Sequence, residues 1–397
     1  MEQKRLKSNY LIASVPTLFS RSIASDIDWK LRLIGLLGPR GTGKTTLLLQ
    51  AIKQLYGFDP KAIYISLNDL YFADCNLQSF VAKFCSMGGE HIFIDNVHKH
   101  PNWSNEIKRI YENFPNLRIA FAGSSTIDML KHFANLSQRA TIYQVNNLSF
   151  REYLSMQGII NLEQISLDEI IRNHSAISND IPTDLKILPL FDKYLTQGSY
   201  PMENSSYEEI KKTVEGYVIN TIELDMVNME GYDSRNGFKL KQLMSIIGQK
   251  APFKPNLVSI SNAINLHRNT LIGYLFHLEK AKLINLIYPS GSAISILQKP
   301  ERIFMGNPNM SVLLGASQQN RSGLLRTFAV NQLLSNHELR LSQYESIEVD
   351  GQILLGFETN KRIPKKLREN PQTITLVDGI EIGSNQRVPI WTLGLLS

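Results

Sequence analysis

A glycine-rich run, Gly38-Pro39-Arg40-Gly41-Thr42-Gly43-Lys44-Thr45-Thr46, holds the residues of this chain best suited to chemistry. Its first eight residues fit G-x-x-x-x-G-K-[ST]. They lie between an apolar run and a helical pattern, the context that gives the spacing meaning. Glycines let the backbone curl until successive N–H groups converge on one anion. The helix that follows turns the partial positive charge of its N-terminus toward the same point. Lys44 is placed to span β- and γ-phosphates, and the Thr45 hydroxyl to ligate magnesium. The spacing predicts a nucleoside triphosphate with Mg²⁺ cradled by residues 38–46.

HIFIDN (91–96) supplies the complementary half. An apolar strand ending in Asp95 sets a carboxylate across from the loop, where it holds magnesium through water. Asn96 follows it. An amide orients a water but cannot accept its proton, and loss of a general base costs ~10²–10⁴ in rate. AGSS (122–125) ends another apolar run, so Ser124 and Ser125 either sense the γ-phosphate or cap the next helix. Arg139, in LSQRA, is read either as a positive clamp on the γ-phosphate or as a solvated surface arginine. The expected catalytic set is Lys44, Asp95, Asn96 and Arg139; the expected metal ligands are Thr45 and Asp95.

These residues need a scaffold. Apolar runs at 31–37, 62–67, 91–95, 117–123 and 141–145 alternate with helical stretches, beginning with a helix from Thr45 to about Leu55. That alternation implies an α/β fold, a parallel sheet with helices on both faces. At 397 residues, 43% hydrophobic and 20% charged, the chain has room for two or three domains, and disordered or disulfide-rich classes are excluded. Its apolar runs are far shorter than the ~20 residues of a membrane span, and its start does not read as a signal peptide. With Cys75 and Cys85 as the only cysteines, the cytoplasm is expected. A net charge of +6 permits an anionic partner without requiring one. The pair His98 and His100 has no evident third ligand for a metal, and Trp103 is expected to pack its loop onto the sheet.

Beyond residue 150 the pattern changes. Helical periodicity at 149–155, 190–198 and 207–226 suggests a helical bridge over 151–235. Residues 236–290 read as three short helices and a strand, the winged-helix order, with 268–283 in the recognition position. Arg268, Asn269 and Thr270 open that helix, with Lys280 and Lys282 near its end. From 291 onward the elements mix again: strands at 292–298, 353–359, 373–377 and 388–396 and a helix at 322–336, a smaller α/β domain. KRIPKK (361–366) reads as a solvated basic loop.

GPRGTGKTTLL, FIDNVHKHPNWSNEIKRIYENFPNLRIAFAGSS, LSQRA and LSFREYL together resemble prokaryotic AAA-type ATPases. The likeness extends through YLTQGSYP (194–201), the helices of 257–283 and the closing VPIWTLGLLS. It implies a P-loop AAA-type domain over 1–150, the bridge, a winged helix and, over 291–397, a domain distantly similar to restriction-endonuclease-like nucleases. Two departures stand out. Where the resemblance implies Asp-Glu, this chain has Asp95-Asn96. Where a nuclease would carry clustered carboxylates, Arg326, Gln332 and Ser346 stand. Glu358 and Lys361 remain, with Asp350 as a displaced substitute, too few to hold a catalytic cation.

The reading that follows is a cytoplasmic ATP-binding switch with weak or slow hydrolysis, using ATP and Mg²⁺, with no membrane partner. Two alternatives stay open: an ATP-regulated nuclease, and a nucleic-acid-binding regulator acting through the winged helix. The C-terminal domain is otherwise a structural or protein-binding module.

Overall fold

The structure is a computed structural model describing the chain apart from residues 101, 125–135, 137–138, 204, 227–233, 292–298, 316–319, 343–344, 360–362 and 397. Ser125, Lys361 and the strand expected at 292–298 lie outside the described residues. Two compact units result, Met1–Asn146 with Leu224–Glu230, and Asn147–Glu223 with Gly231–Ser397.

In the first unit β1 (Leu33–Gly38), β2 (Ala62–Ser66), β3 (His91–Asp95), β4 (Arg118–Ser124) and β5 (Thr141–Gln144) form one sheet in the order β2-β3-β4-β1-β5. Every pairing in it is parallel. Parallel strands buried on both faces need continuous apolar sequence, and LIGLLG of β1 is buried throughout. One face packs Ile34, Leu36, Phe93 and Ala122 under α1 (Glu2–Ser14) and α2 (Lys44–Leu55). The other packs Leu33, Leu37, Ile94 and Phe121 under α3 (Leu77–Ser86) and α4 (Trp103–Asn113). Trp103 does pack on the sheet, its ring centroid 5.5 Å from that of Phe121. The sequence reading had no helix at α1; it is tied to the sheet where Ser8 Oγ accepts the Tyr64 N–H at 3.0 Å.

The strand order positions the chemistry. Register pairs Gly38 with Ser124 across β1 and β4, and Ile94 with Phe121 across β3 and β4. The carboxyl ends of β1, β3 and β4 therefore finish side by side, and β4 and β5 flank β1. Chain direction reverses its lateral course there, and open α/β sheets bind ligands in the crevice at such a point.

The second unit holds the residues expected as winged helix and C-terminal domain, and those of the bridge apart from Leu224–Glu230. Its helices are α5 (Phe150–Met156), α6 (Leu167–Asn179), α7 (Ile187–Gln197), α8 (Tyr207–Asn220), α9 (Gly237–Lys250), α10 (Leu257–Ala263), α11 (Arg268–Lys280), α12 (Pro308–Leu314) and α13 (Arg321–Leu333). Capping boxes start α5 at Ser149/Glu152 and α8 at Ser206/Glu209, satisfying orphan N–H groups at both ends of the motif. Phe150, Phe191, Tyr194 and Phe328 interlock at ring separations of 4.9–6.5 Å. A seven-stranded mixed sheet runs in the order β12-β11-β10-β9-β8-β6-β7. Its strands are β6 (Ile284–Pro289), β7 (Arg302–Met305), β8 (Leu339–Leu341), β9 (Ile347–Val349), β10 (Ile353–Glu358), β11 (Thr373–Val377) and β12 (Arg387–Pro389). β6 pairs both with β7 and with β8, so the sheet is continuous across residue 290.

The closing strand expected over 388–396 is a correction. Only Arg387–Pro389 is strand, and Ile390–Leu395 is a 3₁₀ helix, buried throughout. A short all-apolar run looks alike as buried strand or buried helix. Here the tight turn lets Thr392 Oγ1 donate to Pro389 O at 2.7 Å. Among the described residues no helix is long and apolar enough to cross a membrane.

Candidate functional site

The loop between β1 and α2 is built as its sequence demands. Gly41 and Gly43 have φ of 80° and 89°, a region that costs other L-residues and not glycine. Gly38 is required for a different reason: a Cβ there would stand 2.0 Å from the Val145 carbonyl oxygen. Gly38→Ala is therefore expected to lower unfolding stability by about 1–3 kcal/mol. Urea denaturation checks it, and an unchanged midpoint would contradict the crowding. Arg21 Nη1 donates to Thr42 O at 2.6 Å, and Thr42 Oγ1 to Pro39 O at 3.0 Å, so the loop is braced from behind.

Lys44 Nζ is turned back into the loop, donating to Gly38 O at 2.9 Å and Pro39 O at 2.6 Å. Burial lowers its pKa to about 8, with Arg40 and Arg21 adding to the fall and Asp95 and Asp225 opposing it. Thr45 Oγ1 donates to Asp95 Oδ2 at 2.6 Å. The same oxygen accepts from the Tyr64 hydroxyl at 2.9 Å, and Oδ1 accepts the Asn96 N–H at 2.8 Å. Burial, then Asp95, push the Tyr64 phenol up, so it stays a neutral donor. Thr45 and Asp95 thus offer adjacent hard oxygen donors, the type magnesium selects. Asn96 sits at φ 55° and donates from Nδ2 to Ser66 Oγ at 3.1 Å.

Arg40 leaves the phosphate cradle. Its Nε and Nη2 donate to Asp225 Oδ2 and Oδ1 at 2.6 and 2.5 Å. Lys99 Nζ reaches the same Oδ1 at 2.9 Å, and His98 Nε2 lies 3.5 Å away. The Ser124 N–H donates to His98 Nδ1 at 3.2 Å. Burial holds that imidazole below its usual range, against the opposing pull of Asp225, and Nδ1, which accepts the Ser124 N–H, carries no proton. For Asp225, burial alone would raise the pKa; His98 and Arg40 outweigh it and hold the carboxyl well below the usual range.

Lys44, Thr45, Asp95 and Asn96 are therefore brought together, whereas the Ser124 N–H bonds to His98, which faces Asp225. Arg139 is not brought in: its described ion pair is with Glu112 on α4, at 3.2 Å. Asp225, Lys99, Tyr64 and Ser66 were not anticipated. Asp225 did carry a signal. It continues the buried stripe Ile210, Val214, Val218, Ile222, and an acid on an apolar helix face must find cationic partners. In the second unit Glu358 Oε1 is 3.1 Å from Arg387 Nη1. Asp350 Oδ2 is 2.6 Å from His337 Nδ1, before the start of β10, whereas Glu358 ends that strand, about 20 Å along it. These two carboxylates do not share a cation site.

Residues 30–154 match the AAA domain family, and residues 188–319 match a domain of unknown function (DUF8612). The chain is 26% identical over 297 residues to an uncharacterised protein of Methanocaldococcus jannaschii. That alignment covers 69% of this chain and 60% of the relative, so the chain spans less than two thirds of that protein's length. Among solved structures, AMPPCP-bound DnaA from Aquifex aeolicus is 14% identical, with a TM-score of 0.30, covering 70% of this chain and 89% of that one. PCH-2 of C. elegans is 18% identical, with a TM-score of 0.26, covering 69% and 67%. The class that the sheet, the loop and the family match define is a nucleotide-binding, AAA-type P-loop domain.

Proposed function

We propose that the protein is an ATP-binding switch whose hydrolytic step is slow. The observation that carries this is the meeting of the P-loop with Asp95: Thr45 Oγ1 and Asp95 Oδ2 are 2.6 Å apart. Thr45 would hold Mg²⁺ directly and Asp95 through water, and the cation would neutralise charge on the β- and γ-phosphates. Lys44 moves from the Gly38 and Pro39 carbonyls to the phosphate oxygens. Asn96 positions water without taking its proton. Titration calorimetry with ATP and ADP, with and without Mg²⁺, tests the reading; no heat from any nucleotide would end it.

The Lys44 ammonium makes binding pH-dependent. Free protein loses this proton as pH rises through about 8, whereas phosphates beside Lys44 keep it protonated. Affinity should be flat with respect to this group below pH 7 and fall toward tenfold per unit above pH 8. At pH 8 binding takes up about half a proton per nucleotide. Calorimetry in buffers of different ionisation heat measures that uptake, and a heat independent of buffer would contradict it.

Residues 236–290, with α9, α10 and α11 followed by β6, are read as a winged helix, and 291–397 as the nuclease-like module without nuclease activity. One observation favours a second role in nucleic-acid contact: Arg268 and Asn269 are exposed at the start of α11. That position meets phosphates and base edges in a major groove. Salt-dependent DNA affinity lost in Arg268→Ala would support it.

A further inference from the structure

We infer that Asp225 is a latch, held at the nucleotide site by Arg40 and Lys99, that fixes its own end of the Thr221–Asp225 turn and is released by a γ-phosphate. The inference rests on the ATP-binding reading above. Asp225 comes from outside the region matching the AAA domain, yet its carboxylate has no side-chain exposure and is gripped from two phosphate-facing elements. Arg40 comes from the P-loop itself and Lys99 from the turn after β3. His98 Nε2 lies 3.5 Å from the carboxylate, and its Nδ1 accepts the amide at the end of β4. A carboxylate that accepts both arms of an arginine fork occupies the place a phosphate takes in the same geometry.

The local backbone is shaped for this. After Asn220 the helix widens into a π turn over Thr221–Asp225, and such single turns insert an extra residue and recur at functional sites. Buried Ile222 and Met226 bracket the acid. The turn also lies where the chain passes from the second unit back into the first, between Glu223 and Leu224.

Charge decides the response. A γ-phosphate carries more negative charge than one carboxylate, offers Arg40 and Lys99 a stronger acceptor, and repels Asp225 at close range. A diphosphate ends before that position. Triphosphate therefore frees the turn and diphosphate leaves it latched, and the two ligands differ only in the group that hydrolysis removes.

Hydrogen exchange of the 221–226 amides in the full chain tests this, with bound nucleotide measured calorimetrically on the same preparation. With Mg²⁺ and a non-hydrolysable triphosphate analogue, exchange should quicken at least ~10-fold, and with ADP it should not change. Asp225→Asn should exchange rapidly with or without nucleotide and bind the analogue about tenfold more tightly than wild type, with ADP affinity unchanged. Lys99→Gln loosens the same grip from the partly exposed side, keeping the test open if Asp225→Asn does not fold, and should quicken 221–226 exchange without nucleotide. Wild type that binds the analogue without faster exchange overturns the latch and spares the switch. Weaker analogue binding by Asp225→Asn also overturns it, showing instead that Asp225 positions the cations for phosphate. Absence of any nucleotide binding removes both.

Discussion

Replacing Lys44 by alanine is expected to weaken Mg–ATP binding by at least about 100-fold while leaving the fold intact. Hydrogen bonds to charged groups contribute ~1.5–3 kcal/mol each. Lys44 supplies the one ammonium in the loop, and 1.4 kcal/mol is a factor of ten. Stability should not suffer. The ammonium's pKa falls from 10.5 to about 8 on burial, so below pH 8 the folded state carries the full cost of keeping it charged. That cost shrinks as pH rises from 8 to 10.5, where the unfolded chain binds the proton and the folded one does not. Alanine removes it, so Tm at pH 7 should hold or rise. Calorimetry and a thermal melt on the same samples check both halves, and undiminished ATP affinity in Lys44→Ala would defeat the phosphate-cradle reading.

The second large effect concerns turnover. Asn96→Glu is expected to raise the rate of phosphate release by ~10²–10⁴, the usual worth of a positioned general base. The side chain at 96 follows Asp95 directly and is bonded to Ser66 Oγ at 3.1 Å. Glutamate can take the same partner by accepting from the serine hydroxyl. Its backbone is less comfortable, because φ of 55° suits asparagine better than glutamate. A loss of about 1 kcal/mol in stability should accompany the gain. Asn96→Gln controls for length without adding a base. If Asn96→Glu binds ATP normally and turns over no faster, more than the base is missing; Arg139, paired with Glu112, is the first group to consider.

The two experiments address different parts of one site. Lys44 acts on binding and should alter affinity for any polyphosphate. Under the proposed reading Asn96 acts on the chemical step, and its replacement should leave affinity nearly untouched. A switch needs the first and can operate with little of the second, because nucleotide exchange can reset it. The exposed start of α11 and the continuous seven-stranded sheet concern what such a switch would control.

Much of the first unit could be read without coordinates, because its signals are local. A buried parallel strand must be apolar along its length, so the runs near 33, 62, 91 and 118 declared themselves. The loop's glycines are demanded by backbone angles and by the Val145 carbonyl, requirements that act over a few residues. The identity of residue 96 was equally plain. Only the tertiary structure decided which charges meet. Asp225 lies 185 residues from Arg40, and nothing local connects them. An ion pair needs proximity, and proximity across such a separation is set by strand order and by a turn wound one residue wide. The same holds for Arg139, whose partner lies on a helix 27 residues earlier. For the closing segment, an apolar run by itself has no period to tell strand from helix; packing within the second unit made that choice.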